Sequence, residues 1–452
     1  MRPSSSRSDG AGPPPPPLLA GLTAGPDVDA LLDDTALLRA MLDVESALAG
    51  ALADCGLAPR SVADALEEAC ERPDRLDLSG LVEGTASAGN PVVPLVSAIG
   101  TAVPPDARTW VHYGATSQDV LDTALMLLVS RCHATLDAAF RTAGDAAASL
   151  ALTHRDTLAV ARTLGQQASP TTFGLVAAGW LSQLDTARAR WALVAGDLPV
   201  QLGGAVGTRA AYGTQGEAVA AALASRLELT TRSPWHTDRQ PILDVAAALG
   251  AAVVACGKVA TDVLLLAQTE LGEVAEASGG GSSAMPHKQN PVSAVLVSAA
   301  ARRGPALVGS LFGSAVHEQQ RATGAWHAEW EPLRDLLRLA LGAAQRTADL
   351  LEGLQVFPDR MREHLRGGGA VVMAESVATR LLPSLGRAQA QYLVAQAARS
   401  RDFEAALRAD PYVLDALGDS GISDALDPRQ WLGTSGELVD AAVARHQRLG
   451  AP

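Results

Sequence analysis

Hydrophobic residues in this chain recur mainly at the spacing of an α-helix. In the stretch 36–57, "ALLRAMLDVESALAGALADCGL", they are separated by three or four residues, which is typical of a helix with one buried face. The residues that share this spacing are Leu37, Leu38, Met41, Leu42, Leu48 and Leu52. Gly56 and Pro59 are expected to end this helix, and a second helix is predicted over 61–70. Four prolines in 87–107 predict a loop, a short helix and another loop.

The middle of the chain predicts much longer helices. Its Ala/Leu-rich stretches contain almost no proline, and they lie near 118–153, 172–196, 215–229, 241–276, 291–315 and 329–355. A helix over 241–276, with Pro241 in its first turn, would be about 52 Å long. Helices this long and this apolar need a bundle to cover them, and we expect the bundle to pack on further copies of itself. The pattern therefore predicts an all-α protein.

The same pattern suggests boundaries along the chain. Residues 1–26 contain five consecutive prolines and many Ser and Gly residues, so we expect a disordered tail. The apolar piece "LLAGL" within it is too short for a signal peptide. We predict an N-terminal helical domain over 27–111, a central helical bundle over 112–356 and a C-terminal helical domain over 357–452.

Composition excludes several classes of function. The net charge of −13 argues against a nucleic-acid binder or a protein of anionic membrane surfaces. No apolar run reaches the ~18 residues of a membrane span, so no membrane partner is expected. The four cysteines are far apart and match no metal-binding spacing. They are typical of reduced thiols in a cytoplasmic protein.

One short segment combines residues that suggest chemistry. Residues 279–291 read "GGGSSAMPHKQNP", and Lys288 is one of only two lysines among 36 basic residues. The glycines allow close approach to a ligand, and Asn290 followed by Pro291 resembles a helix start. A helix N-terminus beside a lysine attracts anions. Ser282 would act as a base only where a dry, positive site stabilises its alkoxide. An ordinary flexible linker is the alternative interpretation.

The exact string identifies a resemblance. "GSSAMPHKQNP" fits the pattern G-S-x-x-M-x-x-K-x-N and resembles the signature of the fumarase/aspartase superfamily. The segments 112–124, "HYGATSQDVLDTA", and 162–174, "RTLGQQASPTTFG", resemble its two other regions in the same order, and "GGAVGT" (203–208) also matches. The resemblance implies a three-domain, all-α fold with a central bundle of long helices. It also implies a homotetramer with a twenty-helix core, whose subunits share active sites built from regions on different helices.

The resemblance also implies roles for individual residues, each matched by motif position. Ser282 would remove a proton next to a carboxylate of a small polycarboxylate substrate, and Lys288 would stabilise the resulting charge. The residues expected to contact substrate are Thr116, Ser117, Thr163, Gln166, Arg239, Met285, Asn290 and Arg321. For Arg239 and Arg321, surface ion pairs are the alternative.

Histidines near these motifs leave several interpretations open. His112 precedes Thr116 by four residues and is expected to be catalytic or to contact substrate, with a structural hydrogen bond as the alternative. His287 is expected to position the loop and His327 to serve packing, while either role fits His236. Glu329 would orient Lys288 or a histidine.

Departures from the superfamily pattern suggest a branch. Adenylosuccinate and argininosuccinate lyases and fumarases have a histidine where this chain has Leu164, and adenylosuccinate lyases have another at Asn90. The group of the superfamily that lacks the first of these two histidines is that of 3-carboxy-cis,cis-muconate cycloisomerase. This chain resembles it in five segments: "GNPVVPLV" (89–96), "VHYGATSQDVLDTA" (111–124), "PTTFGLVAAGW" (170–180), "PWHT" (234–237) and "GAWHAEW" (324–330).

The resemblance to this group implies reversible lactonisation of 3-carboxymuconate in protocatechuate breakdown, with no metal or organic cofactor. Leu164, Gln167 and Pro241 depart from the group's usual Trp, His and Arg. The alternative is therefore a C–N lyase acting on a substituted succinate, such as a nitrosuccinate lyase or an enzyme like adenylosuccinate lyase. A non-catalytic helical scaffold is a third hypothesis, against which the intact set of Ser282, Lys288 and Asn290 speaks.

Overall fold

The structure is a computed structural model that describes residues 19–77, 80–277, 280–281, 285 and 288–450. Its described part is dominated by α-helices, as predicted. They are α1 (Ala20–Thr23), α2 (Pro26–Leu32), α3 (Asp34–Asp54), α4 (Arg60–Glu71), α5 (Leu81–Ala88), α6 (Val92–Ala102), α7 (Ser117–Thr153), α8 (Phe173–Ala195), α9 (Gly216–Leu227), α10 (Gln240–Leu266), α11 (Val292–Ser314), α12 (His327–Glu352), α13 (Pro358–Gly367), α14 (Ala374–Ala397), α15 (Phe403–Ala409), α16 (Pro411–Leu426) and α17 (Ser435–Gly450).

Short strands form three two-stranded antiparallel pairs in the described residues. They are β1 (Leu158–Thr163) with β2 (Gln166–Thr172), β3 (Val274–Glu276) with β6 (Leu354–Val356), and β4 (Gly280–Gly281) with β5 (Gln289–Asn290). β1 and β2 are joined by a two-residue turn, whereas β3 and β6 are far apart in the chain, with α11 and α12 between them. Within the described residues no pair extends to a third strand, so the strands do not build a sheet core.

The chain divides into two compact units. The first unit comprises residues 1–134, 193–250 and 302–343. Its α3 begins after Asp33, whose carboxylate accepts a hydrogen bond from the Ala36 N–H at 2.7 Å, and ends before Gly56 at φ 71°. One core of this unit packs α3 against α9, and its buried residues are Ala47, Leu48, Ala51, Leu52, Ala58, Val200, Leu202, Tyr212, Val219, Ala220, Leu223 and Ala224.

The second unit comprises residues 135–192, 251–301 and 344–452. One of its cores packs α14, α15 and α16 together, and the buried residues are Val377, Leu381, Ala390, Val394, Ala397, Phe403, Leu407, Val413, Ile422 and Ala425. His446 joins α17 to α7 and α8, because its two ring nitrogens lie 2.8 Å from Asp185 and 2.9 Å from Asp145. The predicted division into three domains follows different boundaries and stays a prediction.

Most predicted helices are confirmed, but the prediction for 241–276 is too long. α10 ends at Leu266, and the chain reverses at Gly272, whose φ is 57°. Val274–Glu276 then forms β3 because these residues pair with β6. α10 is long and apolar enough to cross a membrane, with a mean hydropathy of 1.9, yet 61% of that window is buried in the protein. This burial is what a core helix requires.

Two further expectations need correction. Ordered structure begins before Asp27, since Ala24 is buried and the Thr23 carbonyl lies so close to Gly342 that a Cβ there would clash. The rest of the predicted tail, residues 1–18, lies outside the described residues. The second motif, 162–174, was expected on a helix, but most of it forms the β1–β2 hairpin.

Candidate active site

In the first unit, the candidate residues gather around the start of α7. The Asp119 carboxylate accepts hydrogen bonds from the backbone N–H groups of Thr116 at 3.0 Å and of Gly203 and Gly204 at 2.8 Å each. Asp119 therefore fixes both the first turn of α7 and the glycine loop at 203–208. Ser117, in the same turn, is partly exposed at the positive end of this long helix, where an anion is favoured.

Behind this turn lies a buried ionic cluster. The side chain of Arg239 is completely buried, and its guanidinium donates to Asp122 at 2.8 and 3.1 Å and to Glu329 at 2.6 Å. Burial would lower the pKa of Arg239, but the two carboxylates outweigh it and raise that pKa above its usual value. The Trp326 indole also donates to Asp122 at 2.9 Å. Because its fork is occupied by two carboxylates, we infer that Arg239 supports the site and does not bind substrate.

Two buried histidines extend this cluster. Nε2 of His236 lies 2.7 Å from Asp119, and its Nδ1 has no hydrogen-bond partner among the described residues. His317 contacts Glu329 through Nε2 at 3.0 Å and the His236 carbonyl through Nδ1 at 3.2 Å. The position of His236 agrees with a role in holding Asp119. Of the two roles expected for Glu329, the structure agrees with the orientation of a histidine, and that histidine is His317.

Arg321 and His112 are the partly exposed basic groups near the start of α7. Arg321 donates to the Gln118 side chain at 3.1 Å and to the Ala205 carbonyl at 2.9 Å, so it bridges α7 and the glycine loop. Nδ1 of His112 lies 2.6 Å from the buried carboxylate of Glu45. Burial lowers the pKa of His112, but the charge and hydrogen bond of Glu45 more than offset this, and the pKa is raised. The site therefore has two candidate cations facing outward.

In the second unit, Thr163 and Gln166 lie opposite each other at the end of the β1–β2 hairpin. The two residues between them, Leu164 and Gly165, have φ values of 52° and 77°, as in a tight hairpin turn. The Leu164 side chain is fully exposed, at 102% of its reference area. Thr163 and Gln166 thus form a pair at an exposed tip, which the spacing of the motif did not reveal.

The glycine- and serine-rich loop also belongs to the second unit. Gly280 and Gly281 pair with Asn290 and Gln289, and the Lys288 N–H donates to the Met285 carbonyl at 3.0 Å. The side chains of Met285 and Lys288 are exposed. Ser282 and His287 lie outside the described residues, so their roles stay predictions.

The helix start after this loop differs from the prediction. α11 begins at Val292, and Asn290 belongs to β5. The buried carboxylate of Glu276 accepts hydrogen bonds from the N–H groups of Ser293 at 3.1 Å and Ala294 at 2.8 Å. The first turn of α11 is therefore occupied by a carboxylate of the protein, so these N–H groups are not an open anion site. The same contact joins the two ends of the loop.

Three residues important to this geometry were not singled out by the sequence. Glu45, Glu276 and His317 belong to no short motif, and their nearest partners are 67, 17 and 12 residues away in the chain. The one available signal was an acidic residue inside an otherwise apolar helical stretch, as at Glu45. Buried charges of this kind need partners, but the sequence does not say which ones.

Comparison with known proteins agrees with the fold and the motifs. A sequence model of a family described as "Lyase" matches residues 28–303. The chain is 44% identical over 451 residues to nitrosuccinate lyase of Streptomyces davaonensis, covering 95% of each chain. It is 42% identical over 434 residues to 3-carboxy-cis,cis-muconate cycloisomerase of Pseudomonas aeruginosa, covering 93% of this chain and 94% of that protein.

A solved structure extends this likeness to three dimensions. The 3-carboxy-cis,cis-muconate lactonizing enzyme of Pseudomonas putida aligns with a TM-score of 0.87 and 39% identity, covering 96% of this chain and all of that one. The chain therefore belongs to the fumarase/aspartase superfamily of lyases, and it is an enzyme of that family.

Proposed function

We propose that this enzyme is a 3-carboxy-cis,cis-muconate cycloisomerase. The observation that carries the proposal is the presence of two basic groups, Arg321 and His112, beside the start of α7. A tricarboxylate requires several such groups, and a chain with a net charge of −13 must concentrate them locally. Similarity to cycloisomerases of several bacteria supports the same substrate class.

The reaction is an intramolecular addition across a carbon–carbon double bond. In the reverse direction, a base removes the proton next to a carboxylate, and electrons move into that carboxylate. The lactone C–O bond then breaks, and the freed internal carboxylate leaves. We propose Ser282 as the base and Lys288 as the charge that stabilises its alkoxide and the electron-rich carboxylate. Asn290, Thr163 and Gln166 would supply further hydrogen bonds.

We further propose a cytoplasmic homotetramer in which subunits share each active site. Candidate residues are divided between two compact units, and the long helices leave large apolar side chains exposed on a single chain. Examples are Val254 at 52%, Leu265 at 50%, Val295 at 49% and Phe312 at 49% exposure. Light scattering after size exclusion should give four times the chain mass of 46.4 kDa.

Nitrosuccinate lyase activity is the second candidate. It is favoured by the 44% identity to the Streptomyces enzyme and by Pro241, which stands where cycloisomerases usually have an arginine. One cation fewer suits a substrate with fewer carboxylates. In this reaction the same base would remove a proton, and nitrite would leave in place of the internal carboxylate, giving fumarate.

One absorbance experiment separates the two candidates. Purified enzyme is mixed with 3-carboxy-cis,cis-muconate, and the loss of the diene band is followed; a parallel reaction with nitrosuccinate is assayed for fumarate and nitrite. We expect rapid loss of the diene band and little fumarate. Fumarate release without diene loss would replace the proposal by the second candidate. Ser282→Ala is the control for contaminating activity and is expected to reduce turnover by about 100-fold or more.

A further inference from the structure

Glu45 belongs to α3 and reaches a residue of the candidate site from 67 positions away in sequence. Its side chain is 3% exposed, and one carboxylate oxygen lies 2.6 Å from Nδ1 of His112. A carboxylate buried to this extent is costly unless a partner compensates its charge. The short contact shows that the imidazole is that partner, with Nδ1–H as the donor.

The backbone holds His112 in an unusual conformation to make this contact. Its φ is 56°, in the left-handed region that residues with a Cβ rarely occupy. Gly114, two residues later, also has a positive φ, and a Cβ there would lie 2.5 Å from the Tyr212 ring. The Tyr212 hydroxyl donates to the Tyr113 carbonyl at 3.1 Å, which fixes the turn. Local strain at a defined polar residue is typical of functional positions.

The groups around the ring favour its charged form. The nearby carboxylates are Glu45 on α3 and Asp119 on α7, and both act to raise the pKa of His112. Tyr212 faces both carboxylates, and burial together with their charges raises its own pKa, so it stays neutral. Tyr113 is the other titratable neighbour on this turn. With Nδ1 held by Glu45, Nε2 has no partner among the described residues, and the side chain keeps 18% exposure.

We propose that Glu45 is a positioning residue that holds His112 as an imidazolium and directs its Nε2–H toward a carboxylate of the substrate. The proposal builds on the proposed function and adds a residue outside every matched motif. Glu45 itself does not touch the substrate. It acts through His112, as carboxylates do when they fix the orientation and protonation of a histidine.

The test compares Glu45→Gln with two matched variants. Glu45→Gln keeps the shape and an acceptor but removes the charge, whereas Glu45→Asp keeps the charge on a shorter side chain. Glu68→Gln changes an exposed glutamate of the neighbouring helix α4 and is the control. His112→Asn, which tolerates a positive φ, identifies the His112 resonance by its absence from histidine-labelled NMR spectra of the full-length protein.

The first readout is the titration of His112 without substrate. We expect the pKa of His112 to fall in Glu45→Gln, to stay raised in Glu45→Asp and to be unchanged in Glu68→Gln. An unchanged titration in Glu45→Gln would overturn the proposal. Because this measurement needs no turnover, it decides on the pair even if neither carboxymuconate nor nitrosuccinate is a substrate.

The second readout is the pH profile of kcat/KM with whichever of the two compounds is turned over. If His112 must be protonated, the profile falls on the alkaline side, and Glu45→Gln should move that fall to lower pH. At pH 8 we expect a loss of about 10- to 100-fold in kcat/KM, which is the value of one charge-assisted hydrogen bond. A uniform loss at every pH, with no shift of the profile, would show that Glu45 only supports the fold.

Discussion

Replacing Arg239 by methionine tests whether the buried cluster holds the start of α7 in place. The guanidinium donates six hydrogen bonds, five of them to the carboxylates of Asp122 and Glu329, and all three side chains are at most 1% exposed. Without it, two carboxylates remain buried without their cation. Breaking a buried ion pair in this way costs about 3–5 kcal/mol.

Part of this loss should be recovered by the hydrogen bonds that remain. Asp122 keeps Gln118 and Trp326, and Glu329 keeps His317. These hydrogen bonds do not replace the lost positive charge of the guanidinium. We therefore expect the free energy of unfolding to fall by about 4 kcal/mol, the middle of the range for a broken buried ion pair. Adding Glu329→Gln to the variant should reduce the deficit, because it removes one of the two buried charges.

Urea unfolding followed by circular dichroism measures the difference as the change in midpoint multiplied by the slope. The matched control is Arg362→Met, which removes an exposed ion pair with Asp359 at 2.7 Å. We expect the control to change stability by at most about 1 kcal/mol. If Arg239→Met cost no more than this control, the cluster would not stabilise the first turn of α7, and our inference about Arg239 would be refuted.

Three further predictions concern the second unit. Lys288→Met should abolish turnover and leave the circular dichroism spectrum unchanged. Lys258→Met, which replaces the only other lysine in the sequence, is the control and should leave kcat within about twofold of the wild-type value. Equal losses of kcat in the two variants would contradict a specific role for Lys288. Glu276→Ala should lower the free energy of unfolding by about 1 kcal/mol, because the cap of α11 is lost, and it should also lower kcat. An unchanged thermal midpoint together with an unchanged kcat would contradict this role of Glu276. Burial lowers the pKa of His446, but Asp145 and Asp185 outweigh this effect and the pKa is raised. The contribution of protonated His446 to the stability of the folded protein is therefore fully present below pH 6.5 and is lost as the pH rises through the raised pKa. His446→Gln should therefore lower the thermal midpoint more at pH 6 than at pH 9, and a deficit independent of pH would exclude a charged His446.

The pattern of apolar residues determined most of the helical architecture. Long stretches rich in alanine and leucine have few alternatives to a helix, and α7, α8, α9, α11 and α12 lie within a few residues of their predicted bounds. The motifs likewise led to the superfamily, because their residue types and spacing are short-range properties of the chain. The end of α10 was not predictable in this way, since it depends on β3 pairing with a strand almost 80 residues later.

Contacts between distant segments decided what each polar residue does. Arg239 and Arg321 look alike in the sequence, yet the fold buries the first between two carboxylates and leaves the second partly exposed beside the glycine loop. Asn290 has the sequence context of a helix cap, but Glu276 takes that position because a strand brings its carboxylate to the first turn of α11. The sequence alone thus determined which chemical groups are present, through residue type and local spacing. Only the tertiary structure decided which of them are neutralised by a buried partner and which, like Arg321, remain partly exposed.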